Sequence, residues 1–358
     1  MKLLEPFSSA ALSLKNRVVM APMTRNRASV DHVPTPLMAD YYGQRAGAGL
    51  IITEGTSPSP NGLGYARIPG LFNDEHVKAW RPVTEAVHQH GAKIFVQLMH
   101  TGRVGHTANL PAGTEVLGPT SATLPGQMYT DTQGMQAHTT PRAMTEADIE
   151  HAIAEHVTSA RLAIEAGFDG VELHGANGYL LEQFLNANVN TRDDRWGGSA
   201  GHRNRLVLEV TRRVAEAIGA HRVGIRLSPF GAFNDTGAYD GVEAQYADLA
   251  RALAELKIGY LHLVDHSSMG APEVPATLKA QLRQAFGGTF IISGGFARDT
   301  AEQALAEGRG DLVAFARPWL ANPDLVERLR RDLPLSPPDF STFYTPGPKG
   351  YTDYPVAE

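Results

Sequence analysis

Three polar side chains that could act on one small molecule, His174, Asn177 and Tyr179, lie within six positions of the sequence. They follow a β-rich run that ends at Leu173, and two glycines break the chain among them. A turn just past the end of a strand can bring an imidazole, an amide and a phenol onto one ligand. A core histidine, a turn asparagine and a packed tyrosine would explain the same stretch, so the surrounding elements have to decide between the two interpretations.

Short apolar runs that alternate with helical segments predict the elements that position this stretch. The predicted strands are Arg17–Met23, Leu50–Glu54, Lys93–Leu98, Gly170–Leu173, Val223–Leu227, Tyr260–Val264, Thr289–Ile292 and Leu312–Phe315. The predicted helices are Pro36–Arg45, Asp74–His90 with Asp74 as N-cap, one that runs from the capping box Thr145–Asp148 to about Ala166, Arg203–Ile218, Val242–Leu256, Thr277–Phe286, Thr300–Glu307 and Pro323–Arg331. Eight units favour one closed (β/α)₈ TIM barrel over a doubly wound sheet, as does the absence of a G-x-G-x-x-G after the first strand.

Two segments depart from the alternation. Residues 101–142 are rich in Gly, Pro, Thr and polar residues, and a loop of that length in a compact domain is usually a lid, a subdomain or disorder. We expect them to form a β-rich excursion with a small hairpin over the C-terminal face of the barrel. Residues 333–358, rich in Pro and Tyr, are predicted to be a tail that packs near the active site, and residues 1–358 are expected to form one domain.

Polar residues and glycines recur where the predicted strands end, which is where barrels bind their ligands. Gly294 and Gly295 can expose backbone N–H groups to a phosphate, and Arg317 can neutralise it, although a tight turn and a surface arginine would look the same. Arg226 is a cation that needs an electron-rich partner, and Gln97 can both donate and accept on a heterocycle. This combination fits flavin mononucleotide (FMN) better than a bare sugar phosphate.

The composition argues against other partners. Lys and Arg number 32 against 38 Asp and Glu, and the resulting net charge of −6 disfavours nucleic acid or an anionic membrane surface. The chain has no cysteine and no H-E-x-x-H, and His262 and His266 have a spacing that does not converge on a strand, so no metal is expected. With no long apolar run and no secretory signal in Met1–Phe7, we expect a cytoplasmic protein that does not enter a membrane.

Several motifs, in order along the chain and at predicted strand ends, resemble those of the Old Yellow Enzyme family of FMN-dependent ene-reductases, and the last of them is similar to the family's classical branch. They are Ala21–Thr24, Gln97–Arg103, His174–Leu180, Thr191–Gly198 with Arg203–Arg205, Ala314–Arg317, Ala321–Leu325 and Gly350–Pro355. The resemblance extends over essentially the whole chain.

The resemblance implies a role for each candidate residue. His174 and Asn177 would donate hydrogen bonds to the oxygen of an activated alkene, and Tyr179 would protonate the α carbon after hydride reaches the β carbon. The residues implied to bind FMN are Pro22, Met23, Thr24, Gly55, Gln97, Arg226, Gly294, Gly295, Ala316 and Arg317. The residues implied to contact the substrate are Thr24, Tyr65, Met99, His174, Asn177 and Tyr344.

Two positions depart from the family pattern. Met99 stands where classical members usually carry Trp, which puts the substrate scope in doubt, and Ala316 stands where they usually carry Gly. The implied reaction is reduction of alkenes conjugated to carbonyl or nitro groups, with NADPH or NADH as reductant, by a monomer or homodimer. The alternatives are an FMN-dependent reductase of nitro groups or nitrate esters, and a phosphate-ligand barrel without redox chemistry.

Overall fold

A closed barrel of eight parallel strands lies at the centre of the computed structural model, which describes residues 1–357. The strands are β1 (Val18–Met20), β2 (Leu50–Thr56), β3 (Lys93–Leu98), β4 (Gly170–Gly175), β5 (Val223–Leu227), β6 (Tyr260–Val264), β7 (Thr289–Ser293) and β8 (Leu312–Phe315). Each strand pairs with the next along the chain, and β8 pairs with β1. The predicted (β/α)₈ barrel is therefore confirmed.

A helix follows each strand on the outside of the barrel. The helices are α1 (Pro36–Gln44), α2 (Asp74–His88), α3 (Glu146–Glu165), α4 (Ala200–Ile218), α5 (Val242–Glu255), α6 (Ala276–Phe286), α7 (Arg298–Ala306) and α8 (Leu325–Arg331). The amphipathic faces that predicted them pack on the strands, whose side chains are almost all buried. Within residues 1–357, we find no helix with the length and apolarity that a bilayer crossing requires.

Capping side chains mark the starts of α2, α3 and α4, and two of these three starts differ from the prediction. Asn73, and not Asp74, caps α2, because the Asn73 side chain accepts a hydrogen bond from His76 N at 2.9 Å. Helix α4 begins three residues earlier than predicted because Ser199 caps it. The capping box of Thr145 and Asp148 at the start of α3 is confirmed.

An N-terminal hairpin, which the sequence analysis did not identify, covers one end of the barrel. Phe7–Ser8 pairs antiparallel with Ser13–Leu14. Phe7, Leu12 and Leu14 form one buried cluster with the following side chains from the barrel strands: Val19, Leu50, Ile52, Phe95, Tyr260, Ile291, Leu312 and Ala314. Several of these are the first residues of their strands, so the hairpin closes the N-terminal end of the barrel with apolar side chains.

Residues 101–142 leave the barrel between β3 and α3. They contain a hairpin, Gln127–Thr130 with Gly134–Ala137, and a short parallel pair, Leu117–Gly118 with Arg142–Ala143. Asn109 Nδ2 donates to the carbonyl oxygens of Gly64 and Tyr129 at 3.1 and 3.0 Å, so this segment lies against the loop that follows β2. Its action as a cap over a bound ligand stays a prediction.

The C-terminal tail is fastened to the barrel by three buried arginines. Tyr351 stacks on Tyr41 with ring centroids 3.9 Å apart. Backbone carbonyl oxygens of the tail accept hydrogen bonds from the three arginine guanidinium groups. Arg25 Nη2 donates to Gly350 O at 2.7 Å, Arg27 Nη2 to Thr342 O at 2.8 Å and Arg45 Nη2 to Tyr351 O at 3.2 Å. We call this cluster of arginines and stacked tyrosines the tail latch.

Candidate active site

The turn after β4 presents the three candidate catalytic residues. His174 lies on β4, directly opposite Arg226 in the register of β4 and β5. The chain then turns through Asn177 and Gly178, whose φ angles are +61° and +74°. This left-handed conformation is open to Asn and Gly, and a Cβ on Gly178 would lie 2.5 Å from Phe233 O. A short helix, Leu180–Leu185, starts immediately afterwards and fixes Tyr179 at its N-cap position.

A buried carboxyl group holds this turn from behind. Glu182 Oε2 accepts from Gly178 N at 2.6 Å, and Ser228 Oγ donates to Glu182 Oε1 at 3.0 Å while accepting from Asn177 N at 3.0 Å. Burial raises the pKa of Glu182 to about 7. Sequence reasoning missed both residues; the available signal was an acidic residue within the apolar stretch that follows Tyr179.

Two tyrosines meet above the turn. The hydroxyl groups of Tyr65 and Tyr179 lie 3.1 Å apart, and the Tyr179 ring lies 5.1 Å from the His174 ring, centroid to centroid. Burial raises the pKa of Tyr179, so its phenol holds its proton at neutral pH. Tyr344, also predicted to line the pocket, is 60% exposed, with Arg67 Nη2 donating to its backbone oxygen at 3.3 Å.

His174 is neutral in this environment. Burial, followed by the charge of Arg226, lowers the pKa of His174 well below its usual value. Its Nδ1 is buried without a hydrogen-bond partner among residues 1–357, and no group in that range bonds to Nε2, so neither ring nitrogen is engaged by the protein.

A polar network lies between β3, β4, β6 and β7 inside the barrel. Glu172 is its centre, because its carboxylate accepts from Gln97 Nε2 at 2.9 Å, Tyr260 Oη at 3.0 Å and His262 Nδ1 at 2.9 Å. His262 Nε2 lies 3.1 Å from Ser293 Oγ. The amide nitrogen of Gln97 is thus already engaged, so its Oε1 is the atom that can accept from a ligand N–H. Apart from Gln97, sequence reasoning missed this network, although a glutamate inside an apolar strand signalled it.

Arg226 is a buried cation whose guanidinium is not satisfied by any group within residues 1–357. Its side chain is only 6% exposed, its Nε is buried without a partner, and no residue in the described range 1–357 accepts a hydrogen bond from its guanidinium. Burial lowers the pKa of Arg226, yet its position next to Glu172 and Tyr260 still favours the charged form. A buried arginine without an acceptor is costly unless a ligand supplies one, so this atom arrangement fits an electron-rich ring edge such as that of FMN.

The glycines predicted to hold a phosphate form a backbone cradle after β7. Gly294 and Gly295 have φ angles of +149° and +72°. Cβ atoms there would lie 2.7 Å from Asp265 O and 2.6 Å from Ser268 Cβ, so both positions require glycine. Arg317 follows β8, the neighbouring strand, and is exposed beside Phe340 with its guanidinium 5.8 Å from the ring. The cradle and the arginine fit the phosphate of FMN.

The remaining candidates lie at neighbouring strand ends. Pro22, Met23 and Thr24 follow β1 and are partly buried, and Ala316 follows β8, which pairs with β1. Gly55 is buried on β2, where a Cβ would lie 2.4 Å from Met99 Sδ. Met99 itself is 1% exposed and packs in a cluster that includes the rings of Tyr65 and Tyr179. The Met99 side chain therefore packs against these two rings.

In the part of the chain that the structure describes, no three His, Cys, Asp or Glu residues are grouped so that they could hold a metal ion. His262 and His266, the pair considered from sequence, face different partners. His262 belongs to the Glu172 network, and His266 Nε2 lies 2.7 Å from Asn177 Oδ1.

Comparison with known proteins gives a consistent result over the full length. The sequence model of the NADH:flavin oxidoreductase / NADH oxidase family matches residues 2–336. The chain is 43% identical over 363 residues to chanoclavine-I aldehyde reductase of Penicillium roqueforti, a match that covers 99% of this chain and 96% of that protein. It is 43% identical over 361 residues to 12-oxophytodienoate reductase 1 of Oryza sativa subsp. japonica, with 99% and 93% covered. The solved structure of the Old Yellow Enzyme homologue of Zymomonas mobilis matches with a TM-score of 0.94 and 38% identity over 100% of both chains.

Proposed function

The chain belongs to the NADH:flavin oxidoreductase / NADH oxidase family as an Old Yellow Enzyme, an FMN-dependent reductase of activated C=C bonds, and we propose that His174, Asn177 and Tyr179 carry that reaction. The observation that carries the proposal is Arg226. It is a buried, unpaired cation placed directly beside His174, where a ring that gains negative charge on reduction would give it a partner.

The proposed cofactor site combines the strand ends described above. FMN, when bound, would supply the hydride chemistry, by which hydride moves from NAD(P)H to the β carbon of the alkene. We propose that Arg226 and Gln97 hold the ring, and that Gly294, Gly295 and Arg317 hold the phosphate. The further residues proposed to contact FMN are Pro22, Met23, Thr24, Gly55 and Ala316.

We propose that His174 and Asn177 bind the oxygen of the substrate. A neutral imidazole with its other nitrogen buried can donate from Nε2, and the Asn177 amide can donate from Nδ2. Two donors aimed at a carbonyl or nitro oxygen stabilise the negative charge that develops there as hydride arrives at the β carbon. This matches a conjugated alkene better than an isolated one, because only conjugation delivers the charge to the oxygen.

Tyr179 is proposed to donate the proton to the α carbon. Its phenol stays protonated at neutral pH because burial raises its pKa, and the Tyr65 hydroxyl, 3.1 Å away, can donate a hydrogen bond to the Tyr179 oxygen as that oxygen loses its proton. Met99, Thr24 and Tyr344 complete the proposed walls of the substrate pocket.

The partners proposed for the enzyme follow from its net charge. A net charge of −6 supports a small-molecule substrate and no nucleic-acid partner, and we infer a cytoplasmic location. A monomer or a homodimer stays the predicted oligomeric state.

Anaerobic stopped-flow absorbance tests the proposal. NADPH should bleach the flavin band of the purified protein, and 2-cyclohexenone should restore it. Tyr179→Phe should leave the first step intact and slow the second by about 10²–10⁴-fold, the usual contribution of a positioned acid. Tyr129→Phe, on the exposed hairpin of residues 101–142, is the matched control. A flavin that the enone leaves reduced would contradict the substrate class, and equal rates in both variants would contradict the role of Tyr179.

A further inference from the structure

The backbone of Asn177 is fixed on both sides, so that only its amide can still turn. Asn177 N donates to Ser228 Oγ at 3.0 Å, and Asn234 Nδ2 donates to Asn177 O at 2.8 Å. An asparagine amide presents either two N–H donors or a carbonyl acceptor to its surroundings, and the two orientations have almost the same shape. A group beside it must therefore select the orientation that can bind a substrate oxygen.

His266 is that neighbour. Its Nε2 lies 2.7 Å from Asn177 Oδ1, and its ring packs edge-on against Phe233 with centroids 4.7 Å apart. A carbonyl oxygen can only accept, so this contact requires the proton on Nε2. With Oδ1 engaged in this way, Nδ2 is left for a ligand, because no group within residues 1–357 accepts from it.

The opposite tautomer would have the opposite effect. A bare Nε2 lone pair would accept from Nδ2 and turn Oδ1 away from His266, towards the position of the substrate oxygen. Two acceptors would then face each other in a site with little water, which costs more than the loss of one hydrogen bond. The direction of this single contact thus decides whether Asn177 attracts or repels a carbonyl compound.

We propose that His266 is a positioning residue that holds the amide nitrogen of Asn177 towards the substrate oxygen. The proposal rests on the role given to Asn177 under Proposed function. His266 touches neither the reacting carbons nor, in this proposal, the flavin; it acts through Asn177 alone.

The charges around His266 keep this donor constant across the neutral range. The charged and titratable groups that face it are Arg226, Asp265, His174 and His262. Burial, followed by the charge of Arg226, lowers the pKa of His266 to about 4, so the ring is neutral above that pH, and a protonated ring would donate from Nε2 as well. The wild-type protein should therefore show no dependence on His266 ionisation between about pH 5 and 8.

Two variants of equal size test the proposal. Gln at position 266 can donate to Asn177 Oδ1 as His does, whereas an ionised Glu can only accept and would turn the amide round. The measured quantity is the Kd of cyclohexanone, an unreactive ketone, from the change it causes in the flavin spectrum of the oxidised holoprotein, at pH 5 to 8.5. We expect His266→Gln to bind within about threefold of wild type at every pH. We expect His266→Glu to bind at least about tenfold more weakly at pH 8, the loss expected for one charge-sensitive hydrogen bond, and to recover towards the Gln value as the carboxyl is protonated.

A second pair of variants shows whether the effect passes through Asn177. In an Asn177→Ala background, the Glu and Gln variants should bind the ketone equally at all pH values, since there is no amide left to turn. If the difference persists in that background, the carboxylate acts directly on the ligand and the proposal is wrong. It is equally wrong if the Glu and Gln variants do not differ in the presence of Asn177.

The outcomes separate this proposal from the proposed function. If ketone binding follows the predicted pattern but the enone does not reoxidise the flavin, the proposed reaction is wrong and the role of His266 stands. If the enone is reduced but ketone binding does not follow the pattern, the proposed reaction stands and the role of His266 is wrong. If His266→Glu does not retain flavin, His266→Leu replaces it, and binding as tight as in the Gln variant would overturn the proposal.

Discussion

The two ends of the barrel use the same eight strands for opposite purposes. At the N-terminal end, Phe7, Leu12 and Leu14 from the hairpin pack in one buried apolar cluster that stabilises the fold, and the Arg17 guanidinium lies 5.2 Å from the Phe7 ring. At the C-terminal end, Arg226 and His174 are buried with unpaired nitrogen atoms, and Glu182 is held close to its titration point. The difference shows that the open end is built to bind at a cost in free energy, which the closed end offsets.

The largest stability change is expected at the closed end. Leu14→Ala should lower the free energy of unfolding by about 2–5 kcal/mol, because Leu14 is 4% exposed and its removal leaves a cavity under the barrel. Chemical denaturation would measure the loss, and the flavin content and enone rate of the folded variant should match wild type. A loss of flavin together with stability would show that the two ends are not separable.

Glu182→Gln should reveal the cost that the open end carries as pH rises. The folded-state pKa of about 7 lies above the ordinary value of 4.5, so between these values the folded protein holds a proton that the unfolded chain has released. In the wild type, the bound proton makes its full contribution to the free energy of unfolding below about pH 4.5, and this contribution is lost as the pH rises to 7. Between pH 4.5 and 7.5, the free energy of unfolding of the variant should therefore rise relative to that of the wild type by an amount on the order of 3 kcal/mol.

Denaturation of both proteins in urea at several pH values measures that gain. Glu54, another buried carboxyl group whose pKa burial raises to about 7, keeps its own pH dependence in both proteins and cancels in the comparison. A stability difference that stays constant with pH would mean that Glu182 is ionised in the folded protein throughout.

Arg226→Met should give the smallest change in stability and the clearest change in binding. Removal of an unsatisfied buried cation should raise the stability of the flavin-free protein by about 1–3 kcal/mol. The same change should weaken FMN binding by about 10–100-fold, since a charge-assisted hydrogen bond is lost. Fluorescence titration of stripped protein with FMN measures the second effect. A flavin-free variant less stable than wild type would show that Arg226 is satisfied within the protein.

The sequence was enough for the barrel and for the positions of the strand ends, but not for the contacts between those ends. The spacing of apolar residues predicts strands and helices from local sequence alone, so it predicted the eight strand–helix units and the polar residues that follow each strand. Glu172 acts through Tyr260, 88 positions away, and Glu182 through Ser228, 46 positions away. His266 acts through Asn177, 89 positions away, and spacing along the sequence reveals none of these pairs. The side chains of Asn73 and Asp74 can both accept from a helix N–H, so the sequence alone does not decide which of these adjacent residues caps α2.

The tail latch has a consequence for synthesis of the protein on the ribosome. Arg25 and Arg27 lie in the loop between β1 and α1, and apart from Tyr41 Oη and Arg25 O their acceptors lie in residues 342–350. The ribosome therefore translates Arg27 315 residues before Thr342, and Arg25 325 residues before Gly350. Until residues 342–351 are translated, the tail latch cannot form, and the Tyr41 ring lacks the Tyr351 ring that stacks on it.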